Sequence, residues 1–441
     1  MSLIAFVGLI IVVIGLIHFY LWKRLVRDPL RPGRLRKTGA VAAVLLAVLV
    51  PATLIGVRSG AVEWLAWPGY LWLALMFYLF VTLVALEIPR LAISLWIRAT
   101  GKSTARSKAL TPAASPARMT TTDTDGPITT TAGTASAAGT KLGTALGAES
   151  PTSATNAAAD REDPGAQRGI DRRLLLARGT AIFAGLTAAG VTGHGVKTAL
   201  GPPQLDRVQL PMAKLPRAMD GTRLAVVSDI HLGPLTGTHH AGRIVNLINS
   251  VNADIVCIVG DLVDGSVAEL GRFAAPLADI KSRRGAYFVT GNHEYYSGYQ
   301  EWVAEVARLG VRPLRNERLE LGGLDLAGVN DIGGVEFGDG PDLQRALGDR
   351  DAGRPVVLMA HQPVVAHDAA PFGVDLQVSG HTHGGQMAPF NLLVPLQQPV
   401  VSGFGEVDGV PVYVTNGAGF WGPPVRVGAP PQVTVIELRT P

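Results

Sequence analysis

Hydrophobic residues are distributed unevenly along this chain of 441 residues. Three long uncharged runs stand near its beginning, at residues 1–22, 38–57 and 64–86. Each is close to the roughly 20 residues that an α-helix needs to cross a bilayer core of about 30 Å. Because a backbone crosses lipid only when its own hydrogen bonds are satisfied, these runs predict three transmembrane helices. A signal peptide is the alternative for the first run, which lacks a charged leading segment and a small-residue cleavage site.

Basic residues flank these runs and predict their orientation. The segment between the first two runs carries one acid, Asp28, and seven basic residues: Lys23, Arg24, Arg27, Arg31, Arg34, Arg36 and Lys37. The turn between the second and third runs has only Arg58 and Glu63. Since positively charged loops stay in the cytoplasm, the chain is expected to start outside and to return to the cytoplasm after the third helix.

Residues 101–200 predict a disordered linker followed by a membrane anchor. Residues 101–170 are rich in Thr, Ala, Ser, Gly and Pro, a composition typical of a disordered linker. Residues 171–200 predict a fourth membrane helix or a twin-arginine-like anchor, with Arg172 and Arg173 before an uncharged stretch. A fourth crossing would place the rest of the chain outside the cytoplasm. A buried or amphipathic helix, the alternative, would leave it inside.

Residues 204–441 show a different pattern and predict one α/β domain. Short apolar runs rich in β-branched residues alternate with turn residues, at 224–227, 255–259, 286–289, 324–329, 356–359, 376–378, 412–414 and 433–438. Several are continuous rather than alternating, which is typical of strands covered on both faces. Helical periodicity at residues 240–251 and 299–309 indicates helices packed against sheets.

Polar residues with metal-binding side chains follow five of these runs directly. They are Asp229 and His231, Asp261 and Asp264, Asn292 and His293, His361, and His381 and His383. One Asp-x-His pair would be weak support for a site, but five such segments in series predict one shared rim at the strand ends. Seven of these side chains could bind metal: Asp229, His231, Asp261, Asn292, His361, His381 and His383. With one carboxylate shared, they provide four ligands to each of two ions.

The types of donor atom indicate which metals the site favours and which reaction they would support. Imidazole and oxygen donors without thiolate favour Mn, Fe, Zn or Co. Two cations about 3.5–4 Å apart can acidify a bridging water and bind phosphoryl oxygens during in-line displacement. The sequence therefore predicts two divalent metal ions and phosphoester chemistry.

The ordered motifs resemble a known family. Asp229-x-His231, Gly260-Asp261-x-x-Asp264, Gly291-Asn292-His293-Glu294, His361 and Gly380-His381-x-His383 resemble the calcineurin-like metallophosphoesterase superfamily. Gly384-Gly385-Gln386 resembles its membrane-associated or exported bacterial branch. The resemblance covers about residues 224–438 and implies a four-layer αββα sandwich of two mixed sheets. Here an all-α transmembrane region precedes that sandwich.

The resemblance also implies roles for individual residues. Asp229, His231, Asp261 and His383 would hold one ion; Asp261, Asn292, His361 and His381 would hold the second. His293 would assist the leaving group, and Asp264 would keep His293 protonated, with a helix N-cap as the alternative role for Asp264. Glu294 is expected to be structural. Arg426 could meet a phosphate or carboxylate or lie on the surface, and His239, His240 and His367 are expected on the surface.

Composition and charge complete the hypothesis. Charged residues make up only 17% of the chain, below the roughly 25% of soluble domains, as membrane helices require. The net charge of +4 comes from basic residues beside apolar runs, so no nucleic-acid partner is expected. The single cysteine, Cys257, excludes an intrachain disulfide framework and is expected to be inert core.

The predicted protein is a multi-pass membrane phosphoesterase whose catalytic domain lies outside the cytoplasm. Lipid-linked or envelope phosphodiesters and pyrophosphates are the expected substrates by analogy. Two alternatives remain open. One is a catalytically silent metal-binding module, which would be expected to lack a ligand. The other is a transporter or sensor, which would be expected to carry charged residues within its membrane spans.

Overall fold

The computed structural model describes the backbone of residues 3–108 and 164–441 and the side chains of residues 8–92 and 174–441. Contacts divide the chain into two units, Met1–Leu86 with Leu174–Pro441, and Glu87–Arg173. Helix occupies residues 101–108 and 164–170, at the two ends of the predicted linker. The rest of that linker, residues 109–163, lies outside the described residues.

Long helices form where the apolar runs predict them. They are α1 (Leu3–Trp22), α2 (Arg34–Arg58), α3 (Ala66–Lys108) and α4 (Pro164–Leu200). Within the described residues, four segments are long and apolar enough to cross a membrane: Gly8–Arg27, Arg34–Arg58, Glu63–Ala92 and Leu174–Leu200. Their length and composition indicate membrane association.

Residues 204–441 form two six-stranded mixed sheets with helices. The first sheet has β1 (Gln204–Pro211), β2 (Arg223–Val227), β3 (Ile255–Val259), β4 (Ala286–Val289), β5 (Arg312–Pro313) and β12 (Gln432–Arg439), in the order β1-β12-β2-β3-β4-β5. The second has β6 (Glu317–Glu320), β7 (Asp325–Gly328), β8 (Val356–Met359), β9 (Leu376–Ser379), β10 (Gly403–Val407) and β11 (Val410–Val414), in the order β10-β11-β9-β8-β7-β6. Strands β2 to β5 are mutually parallel, as are β7, β8, β9 and β11.

Six shorter helices belong to the same domain. They are α5 (Thr238–Ser250), α6 (Val267–Ala274), α7 (Asn292–Tyr296), α8 (Tyr299–Arg308), α9 (Leu343–Leu347) and α10 (Ala366–Ala369).

Alternate residues of β2 show how the layers pack. Ala225 and Val227 belong to a core shared with α5, α6 and α8. Leu224 and Val226 belong to a second core that also contains residues of the other sheet, such as Met359. A third core joins the second sheet to α9 and α10. Because successive side chains of a strand point to opposite faces, the order of layers is helices, sheet, sheet, helices. This is the predicted αββα sandwich.

The sandwich contacts one end of the apolar helices. The amide of Arg426 donates to the carbonyl of Gly195, near the end of α4, at 3.0 Å. Gly422 lies against the ring of Tyr70, near the start of α3. Near the start of the apolar segment Leu174–Leu200 of α4, the Arg178 side chain donates to the carbonyl of Pro29, in the basic turn between α1 and α2, at 3.1 Å. The basic turn and the sandwich therefore lie at opposite ends of the apolar segment Leu174–Leu200.

Candidate metal centre

The predicted site residues come from the carboxyl ends of parallel strands in both sheets. Asp229 and His231 follow β2, Asp261 follows β3, and Asn292 and His293 follow β4. His361 follows β8, and His381 and His383 follow β9. Ionisable members of this set form three groups with potential ligand atoms within 4.8 Å of one another: Asp229, His231 and His383; His231, Asp261 and His293; and Asp261, His361 and His381. The fold thus brings five distant segments to one rim.

The first group is compact and buried. Nε2 of His231 lies 3.0 Å from Nε2 of His383, and Nε2 of His383 lies 3.3 Å from Oδ1 of Asp229. Burial raises the pKa of Asp229, despite the opposing effect of His361. A nearby cation would favour the ionised form of such a carboxylate. The two imidazole nitrogens and the carboxylate oxygen therefore face one point where a cation fits.

The second group is centred on Asp261. Nε2 of His361 lies 3.2 Å from Oδ2 of Asp261, while Nδ1 of His361 lies 2.8 Å from the carbonyl of Val259. A hydrogen bond from Nδ1 fixes the ring and leaves Nε2 as a potential ligand. Oδ1 of Asn292 is buried without a hydrogen-bond partner among the described residues, and Nε2 of His361 has no well-aligned partner there besides the nearby Asp261 carboxylate. Unpaired buried polar atoms are rare in folded proteins, and a metal ion would satisfy both.

The imidazoles of this rim differ in charge. Burial lowers the pKa of His381 to about 3, with His361 adding to the effect. Burial, with Arg426 and His231, also holds the pKa of His383 well below its usual value. Both rings are therefore neutral at physiological pH, the form in which imidazole binds metal. In contrast, Asp261 overcomes the effect of burial on His361 and keeps its pKa well above the ordinary value.

His293 and Asp264 form a pair beside these groups. Nδ1 of His293 lies 2.7 Å from Oδ1 of Asp264, which is also 2.9 Å from Nδ1 of His231. Burial alone would lower the pKa of His293, but Asp261 and Asp264 outweigh it and raise the pKa to about 9. Burial likewise acts to raise the pKa of Asp264, but His231 and His293 hold it well below its usual value. The pair is therefore an imidazolium and a carboxylate at neutral pH.

The backbone at these positions is unusual. Five predicted ligands have left-handed φ values: Asp229 (51°), His231 (48°), Asp261 (52°), His381 (69°) and His383 (53°). For residues other than glycine this conformation costs about 1–2 kcal/mol each. Such residues cluster at functional sites, where the surrounding structure holds them. Here, left-handed backbone turns accompany most of the predicted ligand positions.

Two buried ionisable residues, Glu294 and Arg426, hydrogen-bond to the backbone of the rim. The carboxylate of Glu294 accepts hydrogen bonds from the amides of Gly291, Asp261 and Leu262, consistent with its expected structural role. Arg426 is fully buried and donates to the carbonyls of Gly419, His383 and Ala429. The expectations of a surface arginine, or of one meeting a phosphate or carboxylate, are therefore wrong, because backbone carbonyls occupy its guanidinium.

Sequence reasoning missed one acid and misplaced one histidine. Asp331 follows β7 at the same rim, and its Oδ2 is buried without a hydrogen-bond partner in the described part of the chain. The strand-end rule used for the other segments could have found it. His240 is buried rather than on the surface, because it lies on the inward face of α5 beside Ala241 and Ile244. His239 and His367 are exposed, as expected.

Comparisons with known proteins agree with this architecture. The model of the calcineurin-like phosphoesterase family matches residues 222–385. A transmembrane protein with metallophosphoesterase domain from Danio rerio is 37% identical over 273 residues, which cover 58% of this chain and 62% of that protein. An uncharacterized metallophosphoesterase from Helicobacter pylori is 35% identical over 57% of this chain and 68% of its own. Another, from Aquifex aeolicus, is 31% identical over 54% of this chain and 92% of its own.

Among solved structures, a dimetal phosphatase from Danio rerio aligns with a TM-score of 0.35 and 11% identity, covering 50% of this chain and 93% of its own. This chain spans 62% and 59% of the lengths of the matched Danio rerio and Bos taurus transmembrane relatives. The matched region contains the segments from Asp229 to His383 described above. The chain belongs to the calcineurin-like metallophosphoesterase family.

Proposed function

We propose that this protein is a membrane-anchored, metal-dependent phosphoesterase. The observation that carries the proposal is the close grouping of six metal-binding side chains beside the His293–Asp264 pair: Asp229, His231, Asp261, His361, His381 and His383. In this proposal Asp229, His231, Asp261 and His383 hold one divalent ion, and Asp261, Asn292, His361 and His381 hold a second. The buried Oδ1 of Asn292 and Nε2 of His361 support the second position.

The metal ligands, His293 and Asp264 have separate roles in the proposed reaction. Bound in this position, divalent cations supply Lewis acidity and lower the pKa of a coordinated water. His293 stands at the edge of the metal-binding groups, with Nε2 4.0 Å from Oδ2 of Asp261. As an imidazolium oriented by Asp264, it can donate a proton to the departing oxygen. Asp264 acts as a positioning residue because it holds Nδ1 and leaves Nε2 free to face the substrate.

The surroundings of His293 support a substrate held at the membrane. The rings of Tyr296 and Trp421 lie 5.7 and 6.0 Å from the His293 ring, centre to centre. The guanidinium of Arg58, at the end of α2, lies over the Tyr296 ring at 5.0 Å. The leaving-group side of the proposed site thus borders the helix bundle. A phosphodiester or pyrophosphate on a lipid could reach it without leaving the bilayer surface.

His293→Ala tests the reaction. Loss of a general acid typically lowers the rate by about 10²–10⁴-fold, and we expect about 100-fold here with bound metal unchanged. The loss should be greater for a phosphodiester with an alkyl leaving group than for a p-nitrophenyl ester, whose leaving group departs without a proton. Rates and metal content are measured on the full-length protein in detergent micelles. His367→Gln, at an exposed histidine, is the matched control.

Two outcomes would contradict this role. If His293→Ala loses metal, His293 is a ligand, as its membership of a group with His231 and Asp261 permits. If the wild-type protein binds metal but hydrolyses neither monoesters nor diesters, the silent metal-binding module is favoured instead.

We also propose that the sandwich lies outside the cytoplasm. The contact between Arg178 and Pro29 joins the start of the apolar segment Leu174–Leu200 to the basic turn, and the sandwich lies at the other end of that segment. Positively charged loops remain cytoplasmic, which supports an external sandwich. A membrane-impermeant maleimide should therefore label Asp351→Cys in spheroplasts but label Gly33→Cys only after lysis. The unmodified protein is the control, because its sole cysteine is buried. The reverse pattern of labelling would place the sandwich in the cytoplasm.

A further inference from the structure

An uncharged apolar loop follows the last histidine of the rim. Residues 387–401 contain no charged residue. Two short 3₁₀ helices, Phe390–Leu392 and Val394–Leu396, and the residue between them expose four large apolar side chains: Phe390 (51%), Leu392 (72%), Leu393 (54%) and Leu396 (85%). Single exposed apolar residues are common on protein surfaces, but a contiguous group of this kind marks an interaction surface. We call residues 389–396 the apolar loop.

The apolar loop begins beside the membrane helices. Met387, two residues before it, packs with Val427 against the core of the helix bundle. Gly195 of α4 has no side chain, which allows Val425 and Val427 to lie directly against the helix. The amide of Ala388 donates to the carbonyl of Val427 at 2.9 Å, so the start of the loop is fixed to this contact.

Helix geometry gives the depth of this contact. From Arg178, which is bound to the basic turn, to Gly195, α4 advances about 26 Å at 1.5 Å per residue. A bilayer core is about 30 Å thick, so Gly195 lies close to its far surface. Trp64 and Trp67, near the start of α3 at the same end of the bundle, are exposed as expected for an aromatic belt. The apolar loop therefore leaves the sandwich at the level of the lipid head groups.

We infer that the apolar loop inserts into the membrane leaflet at this end of the bundle. The occupant of the surface is the lipid bilayer itself, because the loop continues the apolar surface of helices that are already membrane-embedded. With no charge in residues 387–401, the contact needs no anionic lipid and is insensitive to salt. The same segment begins four residues after His383, so insertion holds the rim against the bilayer. This inference does not depend on the proposed reaction.

Spin labelling tests the insertion directly. Leu396→Cys is labelled in the full-length protein, reconstituted in phosphatidylcholine vesicles, and its collisions with oxygen and with a water-soluble nickel complex are compared. Burial raises the pKa of the Cys257 thiol to about 12, and the buried thiolate is not formed, so the label is confined to the introduced site. Val335→Cys, at an exposed apolar residue of a different loop, is the matched control.

The inference predicts a several-fold higher oxygen-to-nickel ratio at residue 396 than at residue 335, unchanged by raised salt or by added anionic lipid. Equal ratios at the two positions would overturn it. Spin–spin broadening at residue 396 that increases with protein density would also overturn it, since the surface would then be occupied by a second copy of the chain.

Discussion

Asp261→Asn is expected to abolish phosphoester hydrolysis and to release metal from the full-length protein. Burial acts to raise the pKa of Asp261, but His361 and His293 outweigh it and hold the pKa well below its ordinary value. The side chain is therefore a buried anion among imidazoles, and in our proposal it is the only ligand shared by both ions. Asparagine keeps the shape but not the charge. We expect the rate to fall by about 10³-fold or more, equivalent to about 4 kcal/mol of transition-state stabilisation.

The substitution is conservative enough to separate metal loss from unfolding. Oδ1 of Asp261 accepts a hydrogen bond from the amide of His293 at 2.9 Å, which an asparagine oxygen can also accept. Metal content by plasma mass spectrometry and hydrolysis rates should fall together, while the melting temperature in the presence of chelator stays near that of wild type. Asp408→Asn, at an exposed acid paired with His367, should retain both metal and activity. Full metal occupancy and normal rates in Asp261→Asn would refute the proposed bridge.

Arg426→Met is expected to produce the largest loss of stability. The arginine is fully buried, and burial lowers the pKa of its guanidinium only to about 10, so it stays charged at neutral pH. Methionine fills a similar volume but leaves the carbonyls of Gly419, His383 and Ala429 without these donors. Each unpaired buried acceptor costs about 1–3 kcal/mol, partly offset because a buried charge is removed. A net loss of about 3 kcal/mol would lower the melting temperature by about 10 °C.

Two variants separate the hydrogen bonds from the charge. Arg426→Lys keeps the charge but cannot reproduce the planar fork of donors, so an intermediate loss is expected. Arg308→Met removes an exposed arginine paired with Glu305, where a solvent-screened surface ion pair contributes little to stability. Thermal unfolding of the detergent-solubilised protein, followed by near-UV circular dichroism, measures all three. If Arg426→Met has the same melting temperature as Arg308→Met, the buried hydrogen bonds of Arg426 contribute little to stability.

The central strands were predictable because both of their faces are buried. Continuous apolar runs such as 255–259 and 356–359 match β3 and β8. The edge strands β1 and β6 escaped prediction because neither contains a fully buried residue and their sequences are polar. The segment 204–211 is largely exposed along β1, and 317–320 in β6 contains two glutamates and an arginine. A search for apolar runs finds strands whose residues are buried, and it misses edge strands, which have few buried residues.

For the site, the sequence predicted which residues meet but not how the backbone presents them. Motif spacing brought out Asp229, Asp261 and His383, because polar residues at strand ends share one rim. The left-handed φ values of these residues have no local sequence signal, since such conformations are imposed by tertiary contacts. The burial of Arg426 was equally hidden, because an arginine in a glycine-rich loop is normally exposed.

Arg426 joins two parts of the molecule through different groups. Its amide is bonded to the carbonyl of Gly195 in α4, and its guanidinium is bonded to the carbonyl of His383. Cutting the chain after α4 would orphan that amide and uncover Val425 and Val427. The isolated sandwich domain would therefore expose an apolar patch beside the metal-binding rim and would tend to aggregate during purification. Its His383 would also be held less firmly. Biochemical work on this protein should therefore use the full-length chain in nanodiscs.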